Sequence, residues 1–135
     1  MKVSIIIPVR NEQNGIRRAV EQLENNLNNF PYEIIFINDF SEDNTKNVLE
    51  EIIKTKTQFN LYDNKKRGLG GAIAEGINRS KGDTVCIMMS DLSDNLDDLK
   101  KYYSIIKNEN VDAVFGSRFI KNSVIVDYPK KKLIL

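Results

Sequence analysis

The chain has 135 residues, 41% of them hydrophobic and 29% charged, enough for one compact domain with a real core. Lys and Arg number 20 against 19 Asp and Glu, so global charge gives no reason to expect a nucleic-acid partner. The absence of histidine excludes His-based triads, zinc–histidine sites and imidazole acid–base schemes, and the single Cys86 excludes an intramolecular disulfide.

Strands and helices alternate from the first residues. Val3–Val9 is dominated by β-branched side chains and reads as a strand. The start MKVSIIIPVRNE lacks a small-residue cleavage site, so it is a first strand rather than a signal peptide. A helix is predicted over about 13–28, with Ile16, Val20, Leu23 and Leu27 on one face. Glu33–Asn38 is the second strand. Ser41-Glu42-Asp43-Asn44-Thr45 supplies N-cap chemistry for a helix with Val48, Leu49, Ile52 and Ile53 on its apolar stripe.

Phe59–Tyr62 is a weak third strand. Lys65-Lys66-Arg67-Gly68-Leu69-Gly70-Gly71 leads into a helix carrying Ala72, Ile73, Ala74 and Ile77. Thr84–Met89 reads as a continuously apolar, buried fourth strand that also buries the Cys86 thiol, which suits a reducing compartment. Asp94 is expected to cap the next helix, over 95–108, which buries Leu96, Leu99, Tyr103 and Ile106. Val111–Gly116 is the expected fifth strand. Beyond it the pattern is irregular, and Lys132–Leu135 looks like the start of another element. The chain is therefore expected to continue past residue 135. Lys130, Lys131 and Lys132 read as a solvated face. No run of about 18 apolar residues occurs, so no transmembrane helix is expected.

This alternation predicts an α/β fold, a mainly parallel Rossmann-like sheet with helices on both faces. In such a sheet every parallel strand ends on one edge, where ligands bind. That edge would gather Pro8-Val9-Arg10-Asn11-Glu12, Asn38-Asp39-Phe40-Ser41, Arg67-Gly68-Leu69-Gly70-Gly71 and Met89-Ser90-Asp91. Pro8 stiffens the strand exit. Glu12 and Asp39 can accept hydrogen bonds from a base or ribose. Gly68, Gly70 and Gly71 let a ligand approach the backbone at an anion-favouring helix N-terminus. Arg67 can pair with a diphosphate, and Asp91 can hold a divalent cation. Each residue also has a plain structural role. Glu12 can serve the helix dipole, Asp39 and the glycines can shape turns, and Arg67 can sit in a solvated loop.

The segments SIIIPVRNE (4–12), INDFSEDNT (37–45), RGLGGAIAEGINRSKGD (67–83), MMSDLSD (88–94) and FGSRF (115–119) resemble, in order, the family-2 glycosyltransferases. The subgroup they resemble most is the polyprenyl-phosphate sugar synthases of the dolichol-phosphate mannose synthase type. The resemblance implies a GT-A nucleotide-sugar-binding core over 1–119, with 120–135 beginning the acceptor-side region. It implies a UDP- or GDP-linked sugar donor held by Pro8, Val9, Arg10, Glu12, Asp39, Arg67, Gly68, Gly70, Ser90 and Asp91. It further implies Mg2+ or Mn2+ at Asp91 with Ser93, and catalytic parts for Asp91 and for Arg118, the latter at the acceptor phosphate or else merely salt-bridged. Transfer would proceed with inversion to an acceptor such as a polyprenyl phosphate at a membrane surface. The protein would be cytoplasmic or peripheral on that membrane face, with homodimerisation left open.

The chain departs from the family pattern in three places. The first acid of the metal-binding pair falls on Met89, the subgroup's glutamine falls on Ser93, and the acid pair after strand two reads Asn38-Asp39. A non-catalytic nucleotide-sugar-binding module is the competing reading. A dinucleotide oxidoreductase fails because Gly68-Leu69-Gly70 follows strand three, and Ile73 holds the third glycine position. A nucleotidyltransferase would carry a basic, glycine-rich loop after strand one, where this chain has PVRNE.

Overall fold

Seven residues, Val3–Val9, form strand β1 in the computed structural model, which describes residues 1–116. There follow α1 (Ile16–Asn26), β2 (Tyr32–Asn38), α2 (Thr45–Ile53), β3 (Phe59–Asp63), α3 (Leu69–Arg79), β4 (Thr84–Ile87) and α4 (Leu96–Asn108). The four strands make one parallel sheet in the order β3-β2-β1-β4. β1 and β2 are central, and every residue of β1 is buried, as expected for a parallel strand covered on both faces. Ile5, Ile6, Ile7, Ile34, Ile35, Phe36 and Ile37 are each at most 1% exposed. Full burial of a side chain of this size contributes about 1.5–3 kcal/mol.

The chain steps from β1 to β2 to β3 in one direction, then returns to place β4 on the far side of β1. Right-handed crossovers put α1 and α2 on one face and α3 on the other. α1 and α2 pack together, and α3 packs on β1 and β2, where Ala72 joins Ile6, Ile35, Ile37 and Tyr62. The α1 stripe is buried as its periodicity indicates, through Ile16, Val20, Leu23 and Leu27.

The face α3 presents to the sheet differs from the one its apolar residues suggest. Ala72, Glu75 and Gly76 are buried, whereas Ile77 is exposed. Small residues win here because the helix lies so close to β1. A Cβ on Gly76 would come well under 3.0 Å from the Ile6 side chain. Buried Glu75 is acceptable because Arg79 Nε donates to it at 2.9 Å and Lys65 lies at 3.3 Å. The Arg79 bond is the main cause holding its carboxyl below the usual range.

β4 is shorter and wetter than expected. It ends at Ile87, with Val85 and Ile87 exposed and Cys86 half-buried. Among the described residues only β1 pairs with it, along one of its edges. Desolvation of the Cys86 thiol still pushes its pKa up to about 11, which makes it a poor nucleophile. Asn95, rather than Asp94, caps α4, because its Oδ1 accepts the Asp97 N–H at 2.9 Å. The cap must directly precede the first helical residue, which is Leu96. In α4 Leu99 is buried, but Leu96, Tyr103 and Ile106 are only half-buried.

The expected fifth strand is not formed among the described residues. Over 111–116 the chain bends at Asp112 and has no ladder pairing there, and Phe115 is 88% exposed. Strand formation needs a partner ladder, which apolar composition alone does not supply. The chain divides into two units, 1–100 and 101–135, and the loops that leave the carboxyl ends of the four strands belong to the first. No helix among the described residues is long and apolar enough to cross a membrane.

Candidate functional site

Left-handed backbone marks one edge of the sheet. Among the described residues it occurs at Asn11 (φ 55°), Phe40 (φ 55°), Gly68 (φ 108°) and Leu92 (φ 50°). Each lies in the loop that leaves the carboxyl end of a different strand. Such backbone costs about 1–3 kcal/mol at a non-glycine residue and tends to cluster where a site is built.

Pro8 opens this edge. Met88 N–H donates to the Ile6 carbonyl, so the even residues of β1 turn their bonding groups toward β4. The Val9 carbonyl instead accepts the Asp39 N–H on the β2 side. The next donor toward β4 would be the residue-8 amide, which proline lacks. The β1–β4 ladder therefore stops, and the chain after Met88 diverges into Met89-Ser90-Asp91. The crevice between β1 and β4 is also the point where the strand order reverses, the ligand position of open α/β sheets.

The loops after β1 and β2 are stitched together by side chain–backbone bonds. Asn11 N–H donates to Ser41 Oγ (3.1 Å), and Asn11 Oδ1 accepts from Glu42 N–H (2.8 Å). Glu12 N–H donates to Thr45 Oγ1 (2.7 Å). Gln13 N–H donates to Asp43 Oδ2, while Gln13 Oε1 accepts from Asn44 N–H. Asp43 also accepts from the Thr45 N–H and hydroxyl at the start of α2. Desolvation raises its carboxyl, but these bonds outweigh it and leave the pKa lowered. Glu12 is thus fixed through its backbone, and its side chain is half-buried at the edge.

Asp39 is the hub. It is 6% exposed, and its Oδ1 accepts from Asn64 Nδ2 (2.7 Å) and Gly68 N–H (2.9 Å). Its Oδ2 shares the Gly68 N–H at 3.1 Å. Asn64, itself 5% exposed, also donates to the Lys66 carbonyl (2.7 Å) and accepts the Lys66 N–H (3.1 Å). Asp39 thus joins the end of β1, through its N–H on the Val9 carbonyl, to the turn before α3, through its carboxylate. Sequence reading missed Asn64; its signal was an asparagine closing a strand ahead of a basic glycine turn, a residue type that bonds its own backbone.

The three glycines separate by cause. Gly68 is needed for its φ of 108°. Gly71 is needed because a Cβ there would lie well under 3.0 Å from the Lys66 carbonyl oxygen. Gly70 has open space around its Cβ position, so it alone has no internal reason to be glycine. The first amides of α3 have no intrahelical partner, and they create a positive end for an anion.

Arg67 is 55% exposed at the side chain, 3.6 Å from Glu42 Oε1, with its guanidinium 6.0 Å from the Phe40 ring centre. Arg10 is exposed. Val9 is 1% exposed, and its carbonyl already serves Asp39, so its contribution is to hold that residue. Ser90 is half-buried, and Asp91 and Ser93 are exposed, with Ser93 N–H donating to Asp91 Oδ1 at 2.9 Å. Asp91 leaves the same edge but makes no bond to the Asp39 network among the described residues. Asp94 lines a hollow of about 260 Å³ with Gln22, Asn26 and Asp97, beside the edge rather than in it. No three acidic or cysteine side chains among the described residues are grouped to hold a metal. Asp91 and Ser93 therefore suit only a hard cation that brings most of its own oxygen ligands. Arg118 lies outside the described residues.

Because Asp39 holds the fold locally, Asp39→Ala should lower stability before any ligand is added. It removes a carboxylate from the Gly68 N–H and from Asn64, at a cost of roughly 2–3 kcal/mol. Thermal melts check this: an Asp39→Ala protein melting with the wild type would show that the network is idle.

The fold is a parallel α/β sheet whose left-handed loops and one buried carboxylate gather on a single edge. The profile of glycosyl transferase family 2 matches residues 4–134, and the chain belongs to that family. It is 31% identical over 135 residues to a dolichol-phosphate mannosyltransferase of Pyrococcus furiosus, covering 99% of this chain and 38% of the relative. It is 30% identical over 121 residues to an undecaprenyl-phosphate 4-deoxy-4-formamido-L-arabinose transferase of Proteus mirabilis, covering 87% of this chain and 36% of the relative. The chain thus spans less than two fifths of either. Residues 1–349 of S. aureus TarS superpose with a TM-score of 0.66 at 22% identity, covering 90% of this chain and 40% of that TarS region. The same TarS region in complex with UDP-GlcNAc gives a TM-score of 0.65. At that identity the match shows the GT-A fold.

Proposed function

We propose that this chain binds a nucleoside-diphosphate sugar at the carboxyl edge of its sheet, as the donor half of an inverting glycosyltransferase whose acceptor is a polyprenyl phosphate. One observation carries the reading. Asp39, at the end of β2, ties β1 through its N–H on the Val9 carbonyl and the turn that starts α3 through its carboxylate on the Gly68 N–H. Asp39 thereby gathers the half-buried Glu12, the exposed Arg67 and the N-terminus of α3 beside the β1/β4 switch point. Asp39 and Glu12 offer acceptors to the nucleoside. The α3 amides, Gly70 and Arg67 face the diphosphate and stabilise the charge that develops as it leaves. A divalent cation arriving with the diphosphate would be held by Asp91 with Ser93 and would neutralise part of that charge.

In the transfer, the bond from the anomeric carbon to the donor phosphate breaks. A bond from that carbon to an acceptor phosphate oxygen forms on the opposite face, and the nucleoside diphosphate departs. A phosphate acceptor is already ionised, so no general base is required, which accords with a chain that has no histidine. The polyprenyl-phosphate names of the relatives support this acceptor, and a peripheral position on the cytoplasmic membrane face belongs to the same proposal.

A thermal-shift series with UDP and GDP, each with and without Mn2+ or Mg2+, tests the donor assignment. A ligand at 100 times its Kd stabilises by about 2.7 kcal/mol. One nucleotide should raise Tm by several degrees, and flat melts with both would sink the proposal. Met89, 39% exposed where the resemblance places an acid, favours a second reading, a binding module without turnover. Labelled donor incubated with polyprenyl phosphate separates the two, since a module binds and forms no lipid-linked sugar.

A further inference from the structure

Phe40 combines two unfavourable features at one residue. Its backbone is left-handed, at φ 55°, and its ring is 45% exposed. The other left-handed positions have compensations that Phe40 lacks. Asn11 is a residue type that tolerates the conformation, and it is held by Ser41 and Glu42. Gly68 has no Cβ. Leu92 turns part of its side chain into the protein. For a bulky aromatic residue a positive φ is a genuine outlier. Glycine or asparagine at position 40 would remove both the strain and the exposed apolar surface.

The neighbours of the ring define what would cover it. Asp39, the preceding residue, is locked onto the Gly68 amide. On the other flank the Arg67 guanidinium stands 6.0 Å from the ring centre, drawn there by Glu42 at 3.6 Å. That is the outer limit of a cation–π contact, and the ring stays 45% exposed, so Arg67 overhangs the ring without covering it. A flat apolar face, a planar cation and an acceptor carboxylate in adjacent positions fit a planar heteroaromatic ring that carries hydrogen-bond donors and an anionic tail. An aliphatic chain would leave the arginine and the carboxylate unused, and a bare sugar would leave the arginine without an anion.

We infer that Phe40 is the stacking platform for the nucleobase of the donor, with Arg67 overhanging it. The inference rests on the donor reading above and adds the residue that senses the base. Stacking a base on an aromatic ring is sequence-tolerant and strong enough for its loss to be measured by alanine substitution.

Calorimetry on the full chain with UDP, GDP and inorganic pyrophosphate tests it, using wild type, Phe40→Ala, Phe40→Gly and Phe40→Tyr. The nucleotide that wild type binds should weaken about tenfold in the alanine and glycine variants. It should stay within about twofold in the tyrosine variant, which keeps the ring. Pyrophosphate, which has no base, should bind all four alike. Phe40→Gly should also raise the Tm of the free protein, because the left-handed strain is gone. A purely structural role for the ring would give the opposite sign. Unchanged nucleotide affinity in Phe40→Ala overturns the inference, as does a parallel loss of pyrophosphate. If wild type binds neither UDP nor GDP, the donor reading itself has failed and this inference falls with it. That result is distinct from unaltered Phe40 variants of a protein that does bind.

Discussion

Gly71→Ala should unfold the loop before α3, with a loss of at least about 3 kcal/mol. At this chain length that is a fall in Tm on the order of 10 °C. A methyl group at residue 71 would point into the backbone carbonyl of Lys66, well under 3.0 Å away. No rotamer change can relieve that overlap, because both partners are main chain or directly attached to it. Relief requires moving the 64–68 turn, which the Asn64 bonds to Lys66 and the Asp39 bonds to Gly68 hold in place. The clash therefore spreads to the hub of the edge. Gly70→Ala is the internal control. Its Cβ would meet open space, and alanine is favoured over glycine inside a helix by up to about 1 kcal/mol. Its Tm should hold or rise, while nucleotide affinity falls if the diphosphate lies against that backbone. Equal melts for wild type and Gly71→Ala would mean that the turn is not built as described.

The same pair of glycines shows how far the sequence could be read. The glycine run pointed to a close backbone approach at a helix start, and both the approach and the helix are there. What approaches Gly71, however, is the chain's own Lys66 carbonyl. A sequence contains no information on whether a glycine makes room for a ligand or for the fold itself. Asp39 is a parallel case. Topology placed it at the ligand edge, but its capture of Asn64 and Gly68 depends on side-chain geometry across 25 and 29 positions of chain.

The central strands and α1 were legible because burial on both faces, or along one stripe, writes itself as continuous or periodic apolarity. α3 was less legible. Its inward face is chosen by smallness and ion pairing, at Ala72, Gly76 and Glu75, and a hydrophobic stripe is the wrong signal for that. β4 and residues 111–116 failed for a further reason. A strand ends where its ladder ends, and the β4 ladder ends at a missing amide on a different strand, Pro8. Composition within β4 could not report that.

Asp91→Ala should remove whatever part of nucleotide binding depends on a divalent cation. The proposal gives the cation to Asp91, with Met89 standing where the resemblance would place a first acid. Mutating a mere support of a metal ligand typically costs 10–100-fold in affinity, so loss of a carboxylate that the proposal puts directly on the cation should cost no less than roughly a hundredfold in Mn2+-dependent affinity. The substitution should be gentle on the fold. Asp91 is exposed, and the bond it accepts from Ser93 N–H closes a turn on the surface, worth about 1 kcal/mol. A small change in free-protein Tm alongside a large change in cation-dependent affinity is therefore the signature. It also separates Asp91 from Asp39, whose removal should lower both. Ser93→Ala bounds the effect from the other side. A hydroxyl is a weaker ligand than a carboxylate and can be replaced by water, so this variant should lose far less. Calorimetry with UDP or GDP over a Mn2+ titration reads all three variants. If the Asp91→Ala protein keeps the full cation response of the wild type, the cation is held by the diphosphate and other residues, and Asp91 is a turn-former like any other acid after a strand.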